Sequence, residues 1–266
     1  MTRSERLLLG LKIRVRQAVT GIAWFAEWLF QGGRHRYALE RVGDDGDFPH
    51  LLFEHATPLV REPSRRLEEY QDNKIVNLRI ASARLDGVVV GPGQVLSFCR
   101  LVGPTHRSRG YLPALTLFGR ELRPAPGGGL CQLSNMVYLM ALNLGFEVVE
   151  RHRHQFDLFP DDGRTVPFGA GATVFYNYVN LKVRNTLTFP VKFRFAVGET
   201  VLTGRAYGTA PLPHRVEVYE TDHGFYEKGG VRRRRNRIWR RISTTNPGEE
   251  FAITELVAEN DCEVLY

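Results

Sequence analysis

Cysteine is scarce in this sequence, with three in 266 residues at Cys99, Cys131 and Cys262. They are too few and too scattered for a disulfide framework, which excludes a small cystine-stapled scaffold. Lysine is scarcer relative to arginine, 5 against 31. That bias runs along the whole chain, as a GC-rich coding sequence would produce, so the high isoelectric point does not argue for nucleic acid. Long apolar runs are also missing. The longest candidate, Ala18–Phe30, contains Glu27 and falls short of the roughly 20 residues that span a bilayer. A cleavable signal peptide is not expected, because Lys12, Arg14 and Arg16 interrupt the first apolar stretch and no small-residue cleavage site follows. CxxC, HExxH, GxxxxGK and a GxGxxG with its acidic partner are all absent, so no metal or cofactor is expected. A 43% hydrophobic and 11% aromatic content excludes a disordered chain.

What is present is unevenly placed. The net charge of +7 equals the seven arginines of residues 231–241, VRRRRNRIWRR, so the remainder is neutral. At the other end, Leu8, Leu11, Val15, Ile22, Phe25 and Leu29 recur at helical spacing, with Glu5, Lys12 and Arg16 largely opposite. This predicts an amphipathic helix with a basic polar face and two tryptophans, Trp24 and Trp28. Such a helix either packs on the protein's own core or lies on an anionic membrane surface. The expected location is cytoplasmic, or the inner membrane surface if the helix docks there.

Residues 31–65, with Gly32-Gly33 and Gly43-Asp44-Asp45-Gly46, read as irregular connection. A second helix is expected from Ser64, a candidate N-cap, to Arg84, stopped by Gly87. Val88–Val90 and Val95–Phe98 read as two short strands around a Pro-Gly turn. Leu115–Phe118 and Glu121–Leu122 form an expected hairpin at Gly119, and Phe146–Arg151 a strand. After residue 172 the pattern is almost wholly strand-like: Ala172–Val179, Leu181–Val183, Val191–Ala196, Val201–Ala206, Val216–Tyr219, Arg237–Thr244 and Phe251–Leu256, the last two around an Asn246-Pro247-Gly248 turn. The fold class is α+β, with early helices packed on a largely antiparallel sheet and a strand-rich C-terminal half. Three regions follow: 1–65, the basic helix and its connection; 66–200, the core; and 201–266, a β extension carrying the arginine run.

The chemistry concentrates at Gly127-Gly128-Gly129-Leu130-Cys131, followed by a helical pattern from Gln132 to Leu144 and by Gly145 at the helix-ending position. Consecutive glycines allow positive φ and close backbone approach. A helix start offers unpaired N–H groups and a partial positive charge, suited to a carboxylate or a developing oxyanion. Cys131 sits at that corner, where a thiolate would be stabilised. Gln132 and Ser134 in the first turn are candidate donors. A nucleophilic cysteine needs a base, and the segment Glu150-Arg151-His152-Arg153-His154 returns after the helix with His152 and His154. The plainer reading of Cys131 is a small buried apolar residue, and of His154 a structural histidine.

These motifs resemble the VanW-like family. Gly127–Asn135 matches its GGGxCQxS signature, Gly91-Pro92-Gly93-Gln94-Val95-Leu96-Ser97-Phe98 its PGxxxSF element, and Glu150, Arg151 and His154 its ERxxH element. Pro167–Val174 and Asn185 fit its closing strands. The chain departs from the pattern at Cys99, Gln155, Gly171 and Asn180, the last two replacing aspartates that could complete a triad. Asp157, Asp161 and Asp162 are the remaining candidates.

The resemblance implies a role in glycopeptide resistance or peptidoglycan metabolism. Two functional readings stand. One is a cysteine-dependent hydrolase or acyl transferase on a cell-wall peptide or precursor, with Cys131 as nucleophile and His154 as base. There Gly127, Gly128, Gly129 and the amide after the cysteine hold the oxyanion, while Gln132, Ser134 and Arg151 bind ligand. The other is a binding module for an anionic cell-wall or membrane ligand. Peripheral membrane contact through the N-terminal helix and Arg232–Arg241 is a further expectation, and nucleic acid is not an expected partner.

Overall fold

Helical and strand periods alternate along the chain, and a computed structural model shows what each buries. It describes residues 3–30, 36–60, 68–118, 121–154, 156–157, 166–245 and 251–266, excluding the side chains of residues 3–10, 68 and 118. The elements are α1 (Arg3–Leu29), β1 (His50–Pro58), α2 (Glu68–Leu85), β2 (Val89–Val90), β3 (Val95–Ser97), α3 (Phe98–Val102), β4 (Pro113–Phe118), β5 (Glu121–Pro126), α4 (Cys131–Asn143), β6 (Glu147–Glu150), β7 (Phe156–Asp157), β8 (Lys182–Arg184), β9 (Val191–Val197), β10 (Val201–Gly208), β11 (His214–Lys228), β12 (Val231–Thr244) and β13 (Ala252–Val264). The architecture is α+β with a strand-rich C-terminal half, as the patterning predicts.

Two sheets flank the central helix α4. The first, in the order β1-β10-β9-β2, is antiparallel throughout. Its inner face meets α4 at Gly204, where an added Cβ would lie 2.7 Å from Met136 and 2.8 Å from the Met140 sulfur. The missing side chain thus lets helix and sheet approach. Leu78, Ala81 and Leu85 of α2, Leu133, Val137 and Ala141 of α4, and Phe193, Leu202 and Ala206 of the sheet share one buried core. The second sheet, β11-β12-β13-β7, is antiparallel except for the β13-β7 pair. A third, β3-β8-β6, supports α3, and β4-β5 is an isolated hairpin.

Several expectations are corrected. Residues 31–65 are not all irregular, because β1 lies within them and pairs along β10. The region boundary at 200/201 falls inside the β9-β10 hairpin. Val88–Val90 and Val95–Phe98 do not pair with each other. β2 joins β9 and β3 joins β8, while Phe98 opens α3. Ala172–Val179 is a loop with one Phe175–Val179 bridge rather than a strand. The Ser64 cap, Gly32-Gly33, the Gly119 hairpin tip and the Asn246-Pro247-Gly248 turn lie outside the described residues.

The N-terminal helix inverts its expected packing. Leu11, Val15, Ile22, Phe25 and Leu29 all face solvent, between 55% and 71% exposed. The opposite face binds the body. Trp24 is buried against Tyr176 and Trp28, and Gly21 lies over Asn177. Glu27 pairs with the buried Lys182 Nζ at 2.9 Å and accepts a short hydrogen bond from Tyr37. A buried ammonium needs a carboxylate, and this one sets which face turns inward.

The arginine run is the middle strand of a three-stranded meander, β12, and the turn beside it is Gly229-Gly230. Arg234 and Arg240 are buried. Arg234 pairs with Asp157 at 3.0 Å, and Arg240 pairs with Glu255. Arg240 also donates to Phe146 O at 2.7 Å and Leu142 O at 3.4 Å, capping the carboxyl end of α4. Arg233 meets Asp261 at 2.8 Å, and Arg237 meets Glu259 at 3.1 Å. Four of the seven arginines are thus paired within the sheet, while Arg232, Arg235 and Arg241 are exposed.

Candidate functional site

The triple glycine closes the β4-β5 hairpin onto α4. Gly127 and Gly129 have φ of +78° and +87°. Gly128 has no room for a side chain, since a Cβ would stand 2.0 Å from Ala114 O. Asn77 of α2 locks the turn, its Nδ2 donating to Gly128 O at 3.0 Å and Leu112 O at 2.9 Å while Oδ1 accepts Leu112 N–H at 2.8 Å.

This locking uses up donors that the sequence assigned to an oxyanion. Gly127 N–H goes to Leu112 O, Gly128 N–H to Ala125 O, and Gln132 N–H to Gly129 O. They are corrected to structural roles, because a tight turn satisfies its own amides first. Among the described residues, no backbone carbonyl takes the N–H of Gly129, Leu130 or Cys131, and that of Cys131 faces its own sulfur. Of the expected donors Gly129 stays available, and Leu130 N–H joins it.

Cys131 and His154 line the same cavity, of about 690 Å³, together with Gly127–Gly129, Asn135, Tyr176 and Cys99. The sulfur faces the N–H of Val174, which draws the thiol down, but burial outweighs it and the pKa stands above the ordinary value. The expected stabilised thiolate is thus corrected to a neutral thiol, because no cation among the described residues offsets its desolvation. Burial lowers the His154 pKa, so its ring is neutral at neutral pH and free to accept a proton. No hydrogen bond joins His154 to Cys131 among the described residues.

The neighbouring residues separate by role. His152 is held by Glu150 at 3.1 Å and does not line the cavity. Ser134 is buried and donates to Ala172 O at 2.6 Å, and Gln132 Nε2 donates to Thr57 Oγ1 and Pro58 O, at 2.9 and 2.8 Å. Arg151 Nε donates to Gly171 O at 2.8 Å, with a second, short bond to Gly169 O, and stacks over Tyr138 at 5.0 Å. All three clamp the cavity wall, and of them Gln132 also lines the cavity. Asp157 reaches the wall but accepts from Arg234 and Tyr266, at 3.0 and 3.1 Å, so its carboxylate is committed. Asn180 is a buried hub between Ser97 and Cys99 N–H. Asp161, Asp162 and Gln155 lie outside the described residues. No group of three potential metal ligands occurs among the described residues.

The sequence reading missed the roles of Asn77 and Val174 and the part that the expected C-terminal strands take in the cavity wall. Asparagine is a poor helix former, so its place mid-helix in α2 was a usable signal of side-chain duty. Nothing in the sequence marks Val174, because its backbone does the work. Asn236 and Asn260 donate to Phe168 O, at 2.8 and 3.5 Å, and Arg153 donates to Asn260 at 2.9 Å. The arginine-rich extension therefore builds one wall of the cavity.

Comparison with known proteins fits this arrangement. The family model described as VanW like protein matches residues 73–207, which contain the glycine turn, Cys131 and His154. The Vancomycin B-type resistance protein VanW of Enterococcus faecalis is 32% identical over 64% of this chain and 61% of its own. The Bacillus subtilis protein YoaR is 29% identical over 44% of this chain and 37% of its own. The chain thus spans less than two thirds of the length of either relative. No solved structure matches.

Proposed function

The chain belongs to the VanW-like family, and from that premise we propose that it acts in glycopeptide resistance or peptidoglycan metabolism as a cysteine-dependent hydrolase or acyl transferase on a cell-wall peptide or its precursor. One observation carries this reading. A thiol at the amino end of α4, a neutral histidine without a hydrogen-bond partner among the described residues, and the N–H groups of Gly129 and Leu130, which no backbone carbonyl takes among the described residues, converge on one cavity.

The chemistry follows from those groups. His154 takes the thiol proton as Sγ attacks a substrate carbonyl, and the N–H groups of Gly129 and Leu130 receive the oxyanion. The C–N bond then breaks, the amine leaves with the proton from His154, and a thioester remains on Cys131. Water resolves it in hydrolysis, an acceptor amine in transfer. A thiol above its ordinary pKa is a weak nucleophile alone, so activation waits for the base and a bound substrate.

A binding module is the second reading, favoured by the missing Cys131–His154 hydrogen bond. Incubation with purified muropeptides, followed by intact-mass spectrometry, distinguishes the two. The enzyme reading expects a thioester adduct on the native chain and cleaved or transferred product. Both should vanish in Cys131→Ala at unchanged Tm. In the free protein, iodoacetamide should label Cys131 only above the usual thiol range of about pH 8.5. A Cys131→Ala protein that still forms product rejects the nucleophile. Muropeptide binding that survives Cys131→Ala, with no adduct on the native chain, selects the module.

A further inference from the structure

Helix α1 carries an apolar face that the fold does not use. Leu11, Val15, Val19, Ile22, Phe25 and Leu29 are 61%, 55%, 62%, 71%, 64% and 63% exposed. Their spacing of three or four residues puts them on one stripe, given about 3.6 residues per turn. On the same helical wheel, Lys12 and Arg14 fall along opposite borders of that stripe. Between Leu7 and Ala26 the helix contains no aspartate or glutamate. Of its two acids, Glu5 lies in the first turn and Glu27 is turned inward to Lys182 and Tyr37.

From this arrangement we propose that α1 is an interfacial anchor that lays its exposed stripe into an anionic lipid surface. The apolar arc supplies insertion, and Lys12 and Arg14 reach the lipid phosphates from its borders. Spanning is not the mode, since no helix among the described residues is long and apolar enough to cross a membrane. Charge argues for lipid over a second copy of the chain, because the 20 residues from Leu7 to Ala26 carry Lys12, Arg14 and Arg16 and no acid, so two paired stripes set like charges together. The inward face is firmly tied by Trp24, Trp28 and Glu27, so the helix can dock without leaving the body. Ile13 on that inward side lines the large cavity, so the docking helix is also part of its wall.

The test is co-sedimentation of the full chain with vesicles of phosphatidylglycerol and phosphatidylcholine in equal parts, and of phosphatidylcholine alone. Binding should favour the anionic vesicles and weaken at least several-fold between 50 and 300 mM salt, roughly from one Debye regime to another. The double variant Ile22→Glu with Phe25→Glu should bind at least tenfold more weakly at an unchanged Tm, since both side chains are exposed. Lys12→Gln with Arg14→Gln should lose the anionic preference without losing the fold. Native protein that ignores anionic vesicles overturns the proposal, as does undiminished binding by the Ile22/Phe25 variant. A dimer in sedimentation velocity that the same variant dissociates, without vesicle binding, assigns the stripe to self-association instead.

Discussion

At the scale of single residues, the site is governed by what cannot be added. Gly128 faces the Ala114 carbonyl at a distance where a Cβ would stand 2.0 Å from the oxygen. Its φ is not in the left-handed region, so the constraint there is steric. Gly128→Ala must push β4 away from the turn and break the Asn77 bond to Gly128 O. Overpacking of this kind costs about 2 kcal/mol or more, and urea unfolding should show it as a lowered midpoint at similar slope. An unchanged midpoint would mean that the turn yields freely. The glycines were legible in the sequence because three in a row have few structural uses. Which amides are taken within the turn was not legible, since that depends on how the hairpin folds back.

Among the elements, α1 shows how a periodic pattern can identify a helix and mislead about its orientation. The stripe from Leu11 to Leu29 is regular, yet the buried face is the one bearing Trp24, Gly21 and Glu27. Lys182 decides the matter, since it is buried on β8 and also meets Glu150 at 3.2 Å. Glu27→Ala should remove an ion pair and the acceptor for Tyr37, destabilising α1 by about 2 kcal/mol. Hydrogen exchange resolved by segment is the measurement. The amides of α1 should exchange faster while those of α4 stay protected. Equal protection in both would mean that the tryptophans alone fix the helix. The arginine strand teaches the same lesson in charge: seven arginines in a row of eleven read as a patch, but pairing across β13 and into Asp157 spends much of that charge.

For the whole molecule, several histidines bias stability in one direction. Burial lowers the pKa of His55, His154 and His214 below the ordinary value. The unfolded chain therefore binds protons at a higher pH than the folded chain does. Stability should be greatest above about pH 6.5 and decline as pH falls through that value, where only the unfolded state gains charge. Carboxylates held below their usual range, such as Asp45 and Glu150, contribute only at more acidic pH. Tm measured from pH 7.5 to 5.5 should fall, and His214→Gln should flatten part of that slope. A Tm that is level or rising towards pH 5.5 would refute the assignment.

The sequence by itself determined the class, most of the elements and the central motif. Those depend on local periodicity, on glycine's backbone freedom and on residues close in the chain, and all of that is written along one dimension. It also carried the family resemblance, because ordered motifs survive without coordinates. Only the tertiary structure decided which face of α1 turned inward, which amides of the glycine turn are taken within the turn, and that β13, paired to the arginine strand, walls the cavity through Asn260 and Cys262. Each of these is settled by partners distant in sequence: Lys182 for Glu27, Leu112 and Asn77 for the turn, and Asp157 for Arg234. A buried charge or amide must find a partner, and which partner it finds is fixed only when the chain has closed on itself.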